Sequence, residues 1–480
     1  MDTKKHHQEL SELLKRHGQG HLLAFWEELD ESGRLNLLSQ IERLDFSGID
    51  SWVDRYVKNP RPHVISENIF PPACYPAEPV GAEQEEKYRK AVRVGESLIS
   101  GGKVAAFVVA GGRGTRLGFD GPKGDFPVTP VKKKTLFRLF AEMIAAAGAK
   151  YGVELSWYVM ASPLNHARML EIFDKNDYYG LDRDKVFIFE QGTIPSFDFE
   201  GQVLLRDKGE LACQPDGHGG SLKALCESGA IDDMQKKGIE YISYFQVDNP
   251  LVNIFDPLFI GLHVLDESEM SSKALVKNGP GEKVGNFCMV DGRLSVIEYI
   301  DLPDELAERR DSDGSLVFQF GSIAIHILNV GFVERLNAEG VSSPGSGLPF
   351  HRAVKKIKYI DKKGRHIRPS QPNGVKLEMF VFDALPMAKN PIILQVVRSE
   401  EFSPVKNASG EKSVETARQM MTARAAAWLE SAGVSVPRKS DGTVDAVIEI
   451  APGFALTKED LARRKGRLPQ IKPGESVYLD

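Results

Sequence analysis

The stretch VVAGGRGTRLGFDGPKG, Val108 to Gly124, decides the fold. Six of its seventeen residues are glycine, and Arg113, Arg116 and Lys123 stand among them. It closes an apolar run, Val104 to Ala110, that is short and β-branched enough to be a buried strand. Glycine lets backbone N–H groups approach an anion closely, and fixed positive charge then neutralises what they hold. A Walker A loop would need G-x-x-x-x-G-K-[ST], which is absent. A dinucleotide fingerprint would need G-x-G-x-x-G. Gly112, Gly114 and Gly118 are spaced one residue too long for it, and no acidic residue sits at a second strand end about 20 residues on.

Working outward, the spacing predicts strands alternating with helices from about residue 100. After the first strand and its turn, Leu136, Leu139, Phe140, Met143 and Ile144 form one helical stripe. SWYVMAS (156–162), KVFIFEQG (185–192) and YISYFQVDN (241–249) are further buried-strand candidates. This order implies βαβ units and a doubly wound, mostly parallel sheet in an α/β protein. CMVDGRLSVIEYI reads as a hairpin turning at Asp291-Gly292. Residues 1–98 read as a helical N-terminal region, with a Pro-rich extended linker in NPRPHVISENIFPPACYPAEP. Residues 99–384 read as the central domain, and 385–480 as a small C-terminal domain with a helix at Thr416–Leu429.

The 480 residues carry a formal net charge of −6, which argues against a general nucleic-acid binder, so any anion site must be local. Four cysteines, Cys74, Cys213, Cys226 and Cys288, lie far apart without C-x-x-C spacing. That favours reduced thiols and a cytoplasmic location over disulfides or a zinc site. No stretch approaches 18 apolar residues, so no membrane span is expected, and the N-terminal MDTKKHHQEL lacks the apolar core of a signal peptide. No oligomeric state is read from the sequence.

The third phosphate loop that competes is G-G-x-G-[ST]-R-L followed by Pro-Lys, a nucleotidyltransferase loop. Gly111 to Leu117, then Pro122-Lys123, fit it without a gap. Seven separate motifs then occur in order: AGGRGTRLG…PKGDFPV, EQGTIPSFDFEG, PDGHGGSLKAL, VDNPLVNIFDPLFIG, VGNFCMVDG…VIEY, PNGVKLEMFVFD and EFSPVKNA. In these the chain, from about Lys103 to Arg418, resembles the eukaryotic-type UDP-N-acetylglucosamine pyrophosphorylases within the UDP-sugar pyrophosphorylase group. The resemblance implies a Rossmann-like, GT-A-like core and attack by a sugar-1-phosphate oxygen on the α-phosphorus of UTP, with release of pyrophosphate. A phosphate monoester has its second pKa near about 6, so the nucleophile is already charged at pH 7 and needs no general base. Catalysis becomes a matter of positioning two polyanions and stabilising charge on the α-phosphoryl oxygens.

The resemblance assigns Arg116 and Lys123 to catalysis, and likens Lys406 in SPVKN to a lysine that swings toward the phosphates. Gly111, Gly112, Gly114, Gln191, Gly217 and His218 fall to the nucleotide. Gly285, Glu298, Ser322, Phe380 and Phe382 fall to the sugar, although the alternating phenylalanines also suit core packing. Asp248 ends a strand, where open α/β sheets bind ligands. A carboxylate there suits Mg²⁺ shared with substrate oxygens, or else it caps a turn. Two family positions differ. The usual GNGG reads Gly217-His218-Gly219-Gly220, a form found in sister pyrophosphorylases of broad specificity, and the usual GNIAN reads Gly321 to Ile325 with Ser322 in place of the amide. The sugar therefore stands open among N-acetylglucosamine, N-acetylgalactosamine, glucose or several. Two other classes compete: a GT-A-like glycosyltransferase using a UDP-sugar, and a non-catalytic UDP-sugar binding protein. The Arg116 and Lys123 pair disfavours the first, because UDP has fewer phosphates to clamp. The intact set with Asp248 and Lys406 disfavours the second.

Overall fold

The computed structural model describes residues 3–60, 66–338 and 347–480. The chain forms two compact units. The first comprises residues 1–65, 191–223 and 336–383, and the second 66–190, 224–335 and 384–480. This differs from the expected divisions at 98 and 384. The chain leaves the larger unit twice and returns, an interleaving that local composition does not record.

The first unit carries the N-terminal helices α1 (Thr3–Arg16), α2 (Glu31–Glu42) and α3 (Phe46–Trp52). Asp30 and Asp45 cap α2 and α3 by accepting from the backbone N–H of Gly33 and Gly48. Leu14, Leu22, Leu37, Ile41 and Ile49 bury their side chains against Phe197, Val203, Val375 and Leu377. An antiparallel pair, Phe350–Lys355 with Gly374–Met379, completes this unit's framework.

The second unit is built on ten strands among the described residues: β1 (Ile69–Phe70), β2 (Val104–Val109), β3 (Trp157–Ala161), β4 (Val186–Glu190), β5 (Tyr241–Gln246), β6 (Met270–Val276), β7 (Asn286–Val290), β8 (Arg293–Ile297), β9 (Phe320–Asn329) and β10 (Ile392–Gln395). The order runs β1-β7-β9-β5-β2-β3-β4, with β8 on β7, β6 on β9 and β10 on β6. The strands β5-β2-β3-β4 are parallel, as the alternating pattern predicts. Beyond β5 the pairing turns antiparallel through β9, so the sheet is mixed. The Pro-rich segment is more than a linker: Ile69 and Phe70 pair with Val290 and Met289, and Tyr75 exchanges backbone hydrogen bonds with Ile393 and Gln395. Its residues 61–65 lie outside the described residues. The β7–β8 hairpin turns at Asp291 (φ 48°) and Gly292 (φ 76°), the paired positive angles that a tight two-residue turn requires.

Helices α4 (Gly81–Ser100), α5 (Leu136–Tyr151), α6 (Pro163–Lys175), α7 (Ala230–Lys236), α8 (Pro257–Leu265) and α9 (Val414–Ser431) surround this sheet. On one face Phe137 and Phe140 of α5 meet Trp157 and Phe245 edge-on. On the other, Phe107 packs on Phe189 and Tyr244, while Tyr158 donates its hydroxyl to Asp233 of α7. Successive strand residues alternate between faces, so both are covered. A Cβ on Gly95 or Gly261 would come within 2.0 Å or 1.8 Å of the carbonyl oxygens of Pro257 and Ala91, so α4 and α8 touch through backbone. A small satellite core around Trp428, Leu429, Ile448 and Leu461 forms in the C-terminal part. The preceding residues 392–395, by contrast, are a strand of the large sheet. Among the described residues no helix is long and apolar enough to cross a membrane.

One charged cluster lies inside this unit. The ammonium of Lys273, on β6, is fully buried between Asp256 at 2.6 Å and Glu401 at 2.8 and 2.6 Å. Burial alone would lower its pKa, but the two carboxylates hold it above the usual lysine value. Removing the cation leaves those carboxylates uncompensated. Lys273→Met is expected to lower unfolding stability by about 3–5 kcal/mol, read from denaturant midpoints; a loss within about 0.5 kcal/mol, the range of ordinary surface substitutions, would show that the cluster is not structural.

Candidate functional site

The strand order places two loop ends side by side. From β2 the chain proceeds outward to β3 and β4, then crosses back to β5 on the other side of β2. Such a reversal opens a crevice beyond the carboxyl ends of the neighbouring strands. Val109 pairs with Gln246 there, so the glycine turn after β2 and the Val-Asp-Asn turn after β5 are adjacent.

The glycine turn is a compact knot. Gly114 N–H donates to Gly121 O at 2.9 Å, and Lys123 N–H to Gly112 O at 3.0 Å. Its glycines have separate reasons. A Cβ on Gly114 would meet Phe119 at 2.7 Å, and one on Gly124 would meet the Phe137 ring at 2.1 Å. Gly118 ends a short helical turn at φ 69°. Packing and backbone angle thus account for these three. At Gly112 the nearest atom to an added Cβ is the Lys123 Cε, at 3.9 Å, so its bareness has no packing cause. The side-chain amide of Asn165 steadies the carbonyl of Gly111 at 3.3 Å. Arg113 is turned to Asp120 at 3.3 Å, whereas Arg116 is exposed at the tip.

Lys123 and Lys406 each place Nζ 3.9 Å from the same oxygen of Asp248. Lys123 and Asp248 are each only 16% exposed. The Lys123 pKa is pushed below the usual lysine value, first by burial and then by the positive charges of Lys406 and Arg116; Asp248 opposes this. Lys412 is lowered in the same way, by burial and by Lys406. Glu282 and Glu411 oppose the shift at Lys412, but around Lys123 the charges of Lys406 and Arg116 exceed that of Asp248, the electrostatics of a polyanion site. Arg418 of α9, which composition did not single out, donates to the carbonyls of Pro127 and Val128 and holds the segment just after Lys123.

In the same unit, Ser322 N–H donates to Gly285 O at 2.8 Å. A Cβ on Gly285 would lie 2.5 Å from Val296 and 3.5 Å from the Glu298 carboxylate, so these three expected sugar residues are neighbours. Two residues on, Ala324 has φ 54° where the β6–β9 register shifts.

The remaining expected residues belong to the first unit. Gln191 is buried and donates its amide to Asp216 at 2.9 Å and to the Gly217 carbonyl at 2.7 Å. Gly217 (φ 89°) and Gly219 press on the backbone of Met379 and Phe380, where a Cβ would sit at 2.3 and 2.6 Å. His218 accepts the Val381 N–H at Nδ1 (3.1 Å), which puts the ring proton on Nε2. Its ring lies 5.2 Å from Phe380 at 12°, and His351 stacks on Phe380 at 4.1 Å while pairing with Asp383 at 2.7 Å. Phe382 is buried, in keeping with packing. Asp216 stands in the PDGHGGSLKAL motif but was not singled out there, and His351 lies in no quoted motif; the fold joins both to this group.

Fold and strand-end chemistry together define an α/β enzyme of the nucleotidyltransferase class. A family model described as UTP--glucose-1-phosphate uridylyltransferase matches residues 61–479, and the chain belongs to that family. It is similar to the human UDP-N-acetylhexosamine pyrophosphorylase-like protein 1, 36% identical over 482 residues, covering 95% of this chain and 94% of that one. It is similar also to the UDP-N-acetylglucosamine pyrophosphorylase of Saccharomyces cerevisiae, 33% identical over 470 residues, 94% of this chain and 96% of that one. Among solved structures, the uridine diphosphate N-acetylglucosamine pyrophosphorylase from Trypanosoma brucei in complex with inhibitor superposes with a TM-score of 0.81 at 26% identity, covering 97% and 96% of the two chains.

The depressed lysine makes a pH test. Lys123 loses its proton at lower pH than an ordinary lysine, so kcat/KM is expected to fall on an alkaline limb set below that value. Lys123→Arg, which cannot deprotonate in this range, is expected to move the limb upward. An unmoved limb in the variant would assign it to another group.

Proposed function

We propose that this UTP-dependent sugar-1-phosphate uridylyltransferase works through the strand-end cluster Lys123–Asp248–Lys406, with N-acetylglucosamine-1-phosphate as its preferred acceptor and glucose-1-phosphate as its closest rival. The relatives' names favour the first sugar, and the family model's name supplies the second. The observation that carries the mechanism is the cation excess around one carboxylate beside bare backbone at Gly112. A sugar-phosphate oxygen attacks the α-phosphorus of UTP, the bond from that phosphorus to the β-phosphate bridging oxygen breaks, and pyrophosphate leaves with the electron pair. Lys123 meets the α-phosphoryl oxygens, Arg116 the β and γ phosphates, and Lys406 the charge that gathers between the two substrates. Gly111 and Gly112 form the cradle, and Gly114, assigned to the nucleotide with them, shapes the turn through its packing on Phe119. Both amide hydrogens of Gln191 are committed, so it presents Oε1, an acceptor suited to the imide N–H of uracil, with Gly217 and His218 beside it. Gly285, Glu298, Ser322, Phe380 and Phe382 are assigned to the sugar.

Asp248 fits Mg²⁺ of the kind that takes one protein carboxylate and fills its shell from phosphates and water. No group of three or more His, Cys, Asp or Glu among the described residues offers a fuller ligand set. Bound there, the ion supplies neutralisation of phosphate charge. A doubly wound, GT-A-like core accords with helices on both faces of the parallel strands, and four cysteines far apart in sequence without C-x-x-C spacing support a cytoplasmic enzyme.

Wild-type protein supplied with UTP, Mg²⁺ and a panel of sugar-1-phosphates is expected to release pyrophosphate, fastest with the N-acetylhexosamine phosphates. Arg116→Ala and Lys123→Ala are each expected to lower kcat by roughly 100-fold or more, the scale for losing one charge-stabilising group, without moving the thermal midpoint. Wild-type turnover in either variant would exclude this arrangement, and UDP-sugar consumption without pyrophosphate chemistry would favour a glycosyltransferase.

A further inference from the structure

Lys406 lies on a loop rather than on a strand, yet it must hold its ammonium near a second cation. The loop's anchorage is specific. Asn249, next to Asp248 and 3% exposed, donates Nδ2–H to the carbonyl of Glu401 at 2.7 Å. Its Oδ1 accepts the N–H of Ser403 at 3.1 Å and that of Leu251 at 3.4 Å. Val405 N–H then donates to the Asp248 carbonyl at 2.8 Å. Glu401, Ser403 and Val405 are thus fastened in turn to the Asp248–Asn249 turn, and the next residue is Lys406. Glu401 is fixed from the other side by the buried Lys273. Beyond Lys406 the loop closes on itself, with its N–H donating to Lys412 O at 2.6 Å.

We infer that Asn249 is a positioning residue: its side-chain amide sets the 401–405 segment so that Lys406 stands across Asp248 from Lys123. Asn249 touches neither reacting phosphate in this account and acts only through Lys406, so the inference rests on the role given to Lys406 above. An amide is suited to the task because one side chain both donates to a carbonyl and accepts from N–H groups, with no charge added beside Asp248. Aspartate keeps the acceptor and loses the donor, and alanine loses both.

The test is a double-mutant cycle with UTP, Mg²⁺ and N-acetylglucosamine-1-phosphate, comparing wild type, Asn249→Ala, Lys406→Ala and the double variant, with thermal midpoints alongside. Misplacing the lysine is expected to lower kcat on the order of 10- to 100-fold in Asn249→Ala, with the KM for UTP little changed. In the Lys406→Ala background the same substitution is expected to cost almost nothing, because the group it positions is gone. Asn249→Asp is expected to fall between alanine and wild type; if Asn249→Ala does not fold, the cycle run with aspartate decides. Losses that multiply in the double variant overturn the positioning role while leaving Lys406 in place. Wild-type turnover in Lys406→Ala removes the assigned role of Lys406, and this inference with it.

Discussion

Two ammonium groups repel, and here both approach one oxygen of Asp248. The carboxylate makes their proximity tolerable, but it balances only one of them, and Arg116 adds more positive charge nearby. Such an arrangement is unfavourable in isolation and persists only if the scaffold holds each backbone in place. The β2–β5 pairing holds the turns that carry Lys123 and Asp248. Asn249 and the buried Lys273–Glu401 pair hold the loop that carries Lys406, while Arg418 grips the carbonyls after Lys123. The charge that a triphosphate would relieve is thereby stored in the fold before any ligand arrives.

The glycine turn shows how structure and chemistry divide one motif. Six glycines in a row of seventeen suggest a cradle throughout. Packing against Phe119 and Phe137 accounts for Gly114 and Gly124, and a left-handed angle accounts for Gly118. The bareness that a ligand would use falls at Gly112, beside Lys123. A motif counted by letter therefore overstates how much of the turn is left bare.

What was legible in the sequence was local or repeated at short spacing. The four parallel strands, the α5 stripe and the Asp291-Gly292 turn each follow from periodicity or from a backbone angle that few residues adopt. The strand-end placement of Asp248 follows from an apolar run that stops. What was hidden depended on distant partners. Ile69 and Phe70 lack a strand pattern of their own and pair only because Met289 and Val290 offer an edge. Asn249 stands in the VDNPLVNIFDPLFIG motif, but the role of its amide shows only when Glu401 and Ser403, 152 and 154 residues on, are brought to it. The linkage of Gln191 to Asp216, and of Phe380 to His351, likewise joins segments that nothing in their own neighbourhoods connects.

The interleaved first unit has a consequence for synthesis on the ribosome. Its apolar core needs Leu14, Leu37 and Ile41 from the start of the chain, Phe197 and Val203 from the middle, and Val375 and Leu377 from far downstream. At about 5–20 residues per second, the N-terminal helices wait tens of seconds with unburied leucine and isoleucine faces before the last segment emerges. These helices are thus made well before the residues that cover them, although in the finished molecule their apolar side chains are buried.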